Sequence, residues 1–296
     1  MTKNAVCFGE VLWDVLPTES IAGGAPMNVA IRLQSLGVPT KIISKIGKDK
    51  LGEELMAILH EKQVATDLIQ VDEQQSTGEV LVTLDNKGSA SYEIVFPTAW
   101  DEIELTADNM KAVSESDVFV FGSLACRNEV SKNTLLSLLD LAKYKVFDVN
   151  IRPPFYTLSL LEDLMNKADF IKLNDDELLE VAQKLGSQTE DIETNILFLA
   201  KRTNTQTVCI TKGKNGAILW TNNQFYTGKG FSVAVADTIG AGDSFLAALI
   251  SKIITSTNYS EAVTFACGVG ALVAGHKGAN PQISSEEIND FISKQA

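Results

Sequence analysis

The chain has 296 residues, 45% hydrophobic and 21% charged, a balance that suits a folded globular protein with one large or two medium domains. A formal net charge of −13 supplies no basic stripe for a nucleic-acid backbone and no attraction to an anionic membrane surface. An acidic chain that handles phosphates must use local devices, such as backbone N–H groups at helix starts.

The N-terminal MTKNAVCFGEVLWD lacks a basic leader, a clean apolar run and a cleavage site, so it reads as a first strand, AVCF (5–8), rather than a signal peptide. EVLWDVLP (10–17) is a second β-rich segment, with Asp14 in an otherwise apolar pattern where an acid is costly without partners. In PMNVAIRLQSLG (26–37), Pro26 suits a first helical turn, Val29, Ala30, Leu33 and Leu36 form an apolar stripe, and Gly37 suits the stop. A strand KIISKIG (41–47) and a helix GEELMAILHEKQ (52–63) follow. Residues 66–98 then read as hairpins, with Asn86-Lys87-Gly88 as a turn signal between TGEVLVTLD and SASYEIVF. Beyond them, strands VFVFG (118–122), KVFDVN (145–150), FIKLN (170–174) and TVCITKG (207–213) alternate with helices at 131–143, 175–186 and 195–202. Strands that are apolar nearly throughout, alternating with helices, predict an α/β fold: a parallel sheet covered on both faces. The expectation is one domain over 1–296, with a small β-lid formed by about 10–22 and 66–98.

Cys7, Cys126, Cys209 and Cys267 are scattered and form no C-x-x-C pair, which reads as buried free thiols in a reducing cytoplasm. No apolar run approaches the roughly 18 residues of a membrane span. A Walker loop, a dinucleotide fingerprint and an α/β-hydrolase elbow are all absent, and His60 and His276 leave little material for a histidine triad. The stretch DTIGAGDSFLAALISKII (237–254) offers a different device. Phe245, Leu246, Leu249, Ile250 and Ile253 recur at helical spacing, so Gly240–Gly242 forms the turn at the helix start. Unpaired N–H groups and the helix dipole meet there, and Asp243 follows in the first turn. One turn could thus supply an anion hole and a general base for phosphoryl transfer to an alcohol, or simply start a helix.

DTIGAGD matches the D-T-x-G-A-G-D signature of the PfkB family of carbohydrate kinases related to ribokinase, GGAPMNVAIRLQSLG resembles its first glycine signature, and KIGKDKLGEEL resembles the G-x-D-x-x-G that follows. The resemblance spans nearly the whole chain and implies a ribokinase-like α/β/α sandwich with a mostly parallel central sheet and a small β-sheet lid. It also implies ATP and Mg²⁺, with Asp243 as the base and the backbone of Gly240, Ala241 and Gly242 as the anion hole. NDDE resembles the family N-x-x-E, so Asn174 and Glu177 would organise Mg²⁺, through water, and the phosphates; the same spacing is an ordinary capping box. TKGKNG resembles the nucleotide loop, with Thr211, Gly213 and Gly216 near the phosphates, though a plain strand-ending turn has the same pattern. The apolar helix AVTFACGVGALVAGHKGA (262–279) would wall the adenine, with Cys267 where related kinases often carry Asn. Asp237, the Ile239 carbonyl and Gly278-Ala279 resemble a monovalent-cation loop, which makes K⁺ a candidate activator; Asp237 reads equally as a simple cap.

On the sugar side, Asp14, Gly24 and Asn28 fall where relatives meet substrate, and Arg127 and Arg152 follow two apolar strands. GSLACR and DVNIR resemble the fructokinase branch, which implies ATP-dependent conversion of D-fructose to fructose 6-phosphate. The alternatives are 2-keto-3-deoxygluconate kinase, whose carboxylate Arg127 and Arg152 could grip, ribokinase, and a non-catalytic regulatory relative. Tyr92, Phe96 and Trp100 are candidates to close over the sugar or to pack in lid or core, and a lid edge could pair with a second copy of the chain.

Overall fold

The computed structural model describes residues 3–84 and 90–295, so the expected turn Asn86-Lys87-Gly88 lies outside the described residues. The N-terminal part runs β1 (Ala5–Phe8), β2 (Leu12–Val15), β3 (Ser20–Gly23), α1 (Ala25–Ser35), β4 (Thr40–Gly47), α2 (Lys50–Glu61), β5 (Ile69–Asp72), β6 (Gly78–Leu84) and β7 (Ala90–Ile94). The middle runs α3 (Ala107–Glu115), β8 (Val118–Gly122), α4 (Glu129–Leu139), β9 (Lys145–Asp148), α5 (Leu158–Lys167), β10 (Phe170–Asn174), α6 (Asp175–Lys184) and α7 (Ile192–Thr203). It ends with β11 (Thr207–Thr211), β12 (Ala217–Thr221), β13 (Gln224–Gly228), α8 (Ala241–Ile253), α9 (Tyr259–Ala274) and α10 (Ser285–Ser293).

Nine strands form one twisted sheet in the order β13-β12-β11-β10-β9-β8-β1-β4-β5. From β5 to β11 every pairing is parallel, and β12 and β13 extend the edge antiparallel. Side-chain alternation along each strand divides the core. Ala5, Cys7, Val118, Val120, Val146 and Phe170 face the layer of α1, α2, α8, α9 and α10. Their neighbours Val6, Phe8, Phe119, Phe121, Phe147 and Ile171 face α3 to α7. Burial on both faces is why these strands read as continuous apolar runs. The expected α/β/α sandwich is therefore observed.

A second, smaller sheet of four strands, β3-β2-β6-β7, forms separately, in the region expected to be a lid. Its limits differ from those expected, because β5 leaves the 66–98 segment to pair with β4 at the edge of the main sheet. Two further differences concern the C-terminal third. The helix expected over 262–279 stops at Ala274, with Gly275 as its cap, and Gly278 (φ 79) and Pro281 continue as loop. The hairpin of β12 and β13 turns on Asn222 and Asn223 at φ 51 and 57, a tight turn with two left-handed residues.

The topology positions the site. From β1 the chain crosses to β4 on one side and returns to β8 on the other, so a crevice opens at the C-terminal ends of these strands. Glu10, Pro26, Ser123, Asp148 and Asn150 line a cleft there.

Candidate active site

The start of α8 faces this crevice. Gly240 caps the helix in the left-handed region (φ 71), and a Cβ at this position would lie 2.7 Å from the Ala279 Cα. Only glycine allows the turn and the close approach of the 278–281 segment behind it. The N–H of Ala241 donates to the Thr238 carbonyl at 3.3 Å, whereas those of Gly242 and Asp243 have no intrahelical partner and start the dipole. Of the expected anion hole, Gly242 and Asp243 thus supply the free donors, and Ala241 closes the turn.

Asp243 is half-buried, and its Oδ2 accepts from Asn28 Nδ2 at 2.8 Å. Burial, and then the nearby Asp148 carboxylate, push its pKa up to about 6, while the Asn28 hydrogen bond, Lys172 and Arg152 oppose the rise. Lys172 rises from β10 beneath the same turn. Its Nζ donates to Asp148 Oδ1 at 3.0 Å and lies 3.5 Å from where a Gly242 Cβ would be. Burial alone would lower its pKa, but Asp148, Glu177 and Asp243 together hold it above the ordinary lysine value, so it stays charged. A buried cation and a helix N-terminus therefore converge on one point, an arrangement that suits an anion.

Among the residues expected to meet a sugar, Gly24 caps α1 at φ 105, and a Cβ there would come within 2.5 Å of the Glu10 carbonyl. This glycine lets α1 start directly against the loop after β1. Asp14 on β2 is raised to about 6 by burial, with Arg152 lowering it and Asp237 raising it. Glu10 is raised further, to about 7, by burial, and both Arg152 and Asp243 act on it electrostatically. Arg152 is exposed and electrostatically coupled to Glu10, Asp14 and Asp243. Asn28 is only 3% exposed and is committed to protein partners on both sides, so it holds the Asp243 carboxylate rather than presenting its amide to solvent.

Arg127 departs from its expected place beside the sugar. Its side chain is 1% exposed; Nε and Nη2 both donate to Asp101 at 2.7 Å, and Nη2 also donates to the Val95 carbonyl. The guanidinium lies over Trp100, Phe96 and Phe155, with Trp100 only 3.9 Å from centroid to Cζ. A carboxylate within reach and three rings draw it into the core. Trp100 is fully buried in this cluster, while Tyr92 and Phe96 are exposed.

Among the residues expected to meet a nucleotide, Asn174 and Glu177 form a complete capping box: Asn174 Oδ1 accepts from the Glu177 N–H, and Glu177 Oε2 accepts from the Asn174 N–H. Glu177 Oε1 accepts from the Ile151 N–H, so both oxygens already have a backbone donor. Gly213 (φ 50) has open space where a side chain would be, and Gly216 (φ 84) closes the turn against Gly228. Thr211 ends β11 beside them, and Cys267 on α9 is buried near Gly228, its thiol pushed up to about 12 by burial. Asp237 ties its own loop to the 278–281 segment: Oδ1 accepts from the Ile239 N–H and Oδ2 from the Gly278 N–H.

Three residues outside the sequence-based set join the site, Glu10, Asp148 and Lys172, and a fourth, Asn280, lies behind it, bonded to Asn28. Asp148 and Lys172 each interrupt a buried apolar strand, the same signal that singled out Asp14. Asn280 gives no such signal, because its partner is 252 residues away.

The family model for pfkB family carbohydrate kinases matches residues 2–286, and the chain belongs to that family. Among its relatives, the chain is 31% identical over 306 residues to fructokinase from Solanum tuberosum, with 95% of this chain and 92% of the relative covered. In fold it is similar to fructokinase from Xylella fastidiosa with bound ATP, at a TM-score of 0.88 and 24% identity over 99% of each chain. It is also similar to fructokinase from Vibrio cholerae O395 in a form with fructose, ADP and calcium, at a TM-score of 0.84 and 23% identity over 98% of this chain and 99% of that one.

Proposed function

We propose that this chain is an ATP-dependent fructokinase that converts D-fructose to fructose 6-phosphate. The observation that carries the chemistry is the Asp243 carboxylate, held by Asn28 at 2.8 Å in the first turn of α8. The similarity to the Solanum tuberosum fructokinase carries the choice of sugar. In this reading, Asp243 orients the 6-hydroxyl of fructose and takes its proton as the hydroxyl oxygen bonds to the γ-phosphorus. The bond from phosphorus to ADP breaks in the same displacement. The N–H groups of Gly242 and Asp243, with Lys172 behind them, stabilise charge on the transferred group. Asp14, Gly24 and Arg152 contribute to the sugar pocket, and Thr211, Gly213, Gly216 and Cys267 to the nucleotide groove.

Mg²⁺ fits this site only indirectly. Both oxygens of Glu177 already accept backbone hydrogen bonds, and no cluster of three or more His, Cys, Asp or Glu suited to a metal occurs among the described residues. Glu177 and Asn174 would hold it through water; bound with ATP, it would neutralise phosphate charge. The loop of Asp237, Ile239 and Gly278 is a candidate seat for K⁺, and its hydrogen bonds to the segment behind the anion hole would couple that ion to the site. A second copy docking on the lid belongs to the same reading, since β3 and β7 are its edges and Tyr92 on β7 is 67% exposed. A cytoplasmic setting accords with four free cysteines, all buried. No helix among the described residues is long and apolar enough to cross a membrane.

ADP release measured across fructose, ribose, 2-keto-3-deoxygluconate and mannose tests the substrate. Fructose is expected to give the highest kcat/KM, and preference for ketodeoxygluconate would replace the assignment. The commitment of Arg127 to Asp101 argues against that sugar acid, because a paired arginine clamp then lacks one member.

The pH profile follows from Asp243. A base must be ionised to accept a proton, and this carboxyl titrates at about 6. Turnover should therefore be flat above that value and fall about tenfold per unit below it. A profile with no acid limb down to about pH 4.5 would contradict an essential base with this pKa.

A further inference from the structure

Helix α1 reaches α8 and the 278–281 segment twice, one turn apart. On the first rung, Asn28 Nδ2 donates to Asp243 Oδ2 at 2.8 Å, and Asn28 Oδ1 accepts from Asn280 Nδ2 at 2.7 Å. On the second, Arg32 donates through Nε to Ser244 Oγ at 3.2 Å and through Nη2 to the Pro281 carbonyl at 3.0 Å. Asn28 and Arg32 are themselves 3% and 1% exposed, so both side chains are shielded from water. The segment that bears Asn280 also backs the helix start, through Ala279 against Gly240 and the Gly278 N–H on Asp237. The loop after α9 is thereby tied to the first turn of α8 through α1.

An amide has a donor at one end and an acceptor at the other, and the end that faces a carboxyl decides which protonation state it favours. The NH₂ of Asn28 facing Asp243 favours the carboxylate; its carbonyl would favour the protonated acid. If Asn28 alone turned over, its NH₂ would meet that of Asn280 and its carbonyl would meet the carboxylate, two repulsive contacts, both part-buried. We propose that Asn280 is a positioning residue for the catalytic carboxylate: by donating to Asn28 Oδ1, it fixes Asn28 with its NH₂ toward Asp243. This rests on the reading of Asp243 as the base and extends it to a residue that touches neither substrate nor base.

The other groups that face Asp243 are Glu10 from the loop after β1, Asp148 from β9, Arg152 from the loop that follows, and Lys172 from β10. All of them remain when Asn280 is changed, so an effect on the pH profile isolates the amide pair. The experiment measures kcat and KM with fructose and ATP across pH for the wild type, Asn280→Leu, Asn280→Ala and Asp243→Asn. With the amide partner gone, turnover near pH 6 should fall about fivefold, while near pH 8.5 it should stay within about twofold, with KM for ATP unchanged. The acid limb thus moves to higher pH. A uniform loss across pH, an unmoved limb, or loss of cooperative melting in both variants would give Asn280 a structural role only and overturn the proposal. Asp243→Asn separates the two readings. If it retains turnover, the base assignment itself fails; if it is inactive while both Asn280 variants match the wild type, only the positioning role falls.

Discussion

Replacing Asp243 with Asn is expected to lower turnover with fructose by roughly 10³, leave KM for ATP within about twofold and preserve the melting transition. The substitution keeps the shape of the side chain. The Asn28 NH₂ can still donate to a carbonyl oxygen at the same place, so the link between α1 and α8 survives. What disappears is the carboxylate oxygen proposed to accept the proton of the sugar hydroxyl. In the proposed mechanism the base would orient that hydroxyl and accept its proton late in a loose transition state, so the loss should fall on kcat rather than on binding. A variant within a few-fold of the wild-type rate would remove Asp243 from the chemistry. The anion-hole donors and Lys172 would then have to account for activity.

The second large effect concerns stability. Asp101 is fully buried against an Arg127 side chain that is 1% exposed, and the two share a bidentate contact at 2.7 Å. Asp101→Ala leaves that guanidinium buried without its counter-charge, which should cost about 3–5 kcal/mol in urea unfolding. Arg127→Met removes the cation and its contacts with Trp100, Phe96 and Phe155, and should cost a similar amount. The double variant Asp101→Leu with Arg127→Met should be less destabilised than the sum of the singles, because no unpaired charge remains. KM for fructose should change little in Arg127→Met measured below its melting range. The opposite pattern, wild-type stability with a strongly raised fructose KM, would return Arg127 to the sugar pocket where its sequence context placed it.

The contrast between Asp243 and Arg127 shows what a chain of residues discloses about its site. The place of Asp243 was legible because local spacing determines it: glycines and an acid before an apolar helical stripe define a helix start. The same holds for Asn174 and Glu177, whose i, i+3 spacing is itself the capping box, and for the alternation that put Phe119 and Val120 on opposite faces of the sheet. Arg127 was misplaced because strand order put it at the proper edge, while its partner, Asp101, is set by the packing of a distant turn. The β5 segment misled for a similar reason: a short polar strand pairs equally well with the lid or the main sheet, and only tertiary packing chooses. Lys172 and Asp148 stood in plain view as charges inside buried parallel strands, where each requires the other. The Asn280–Asn28 pair left no trace, since neutral amides in loops and helix starts are ordinary and their pairing is purely spatial.

The most direct measurement is ³¹P NMR of the wild-type enzyme with ATP and fructose. The γ-phosphate resonance should be replaced by that of fructose 6-phosphate, in step with ADP and with no free phosphate. An ester at another hydroxyl, release of inorganic phosphate, or ATP left unchanged with fructose present would contradict it.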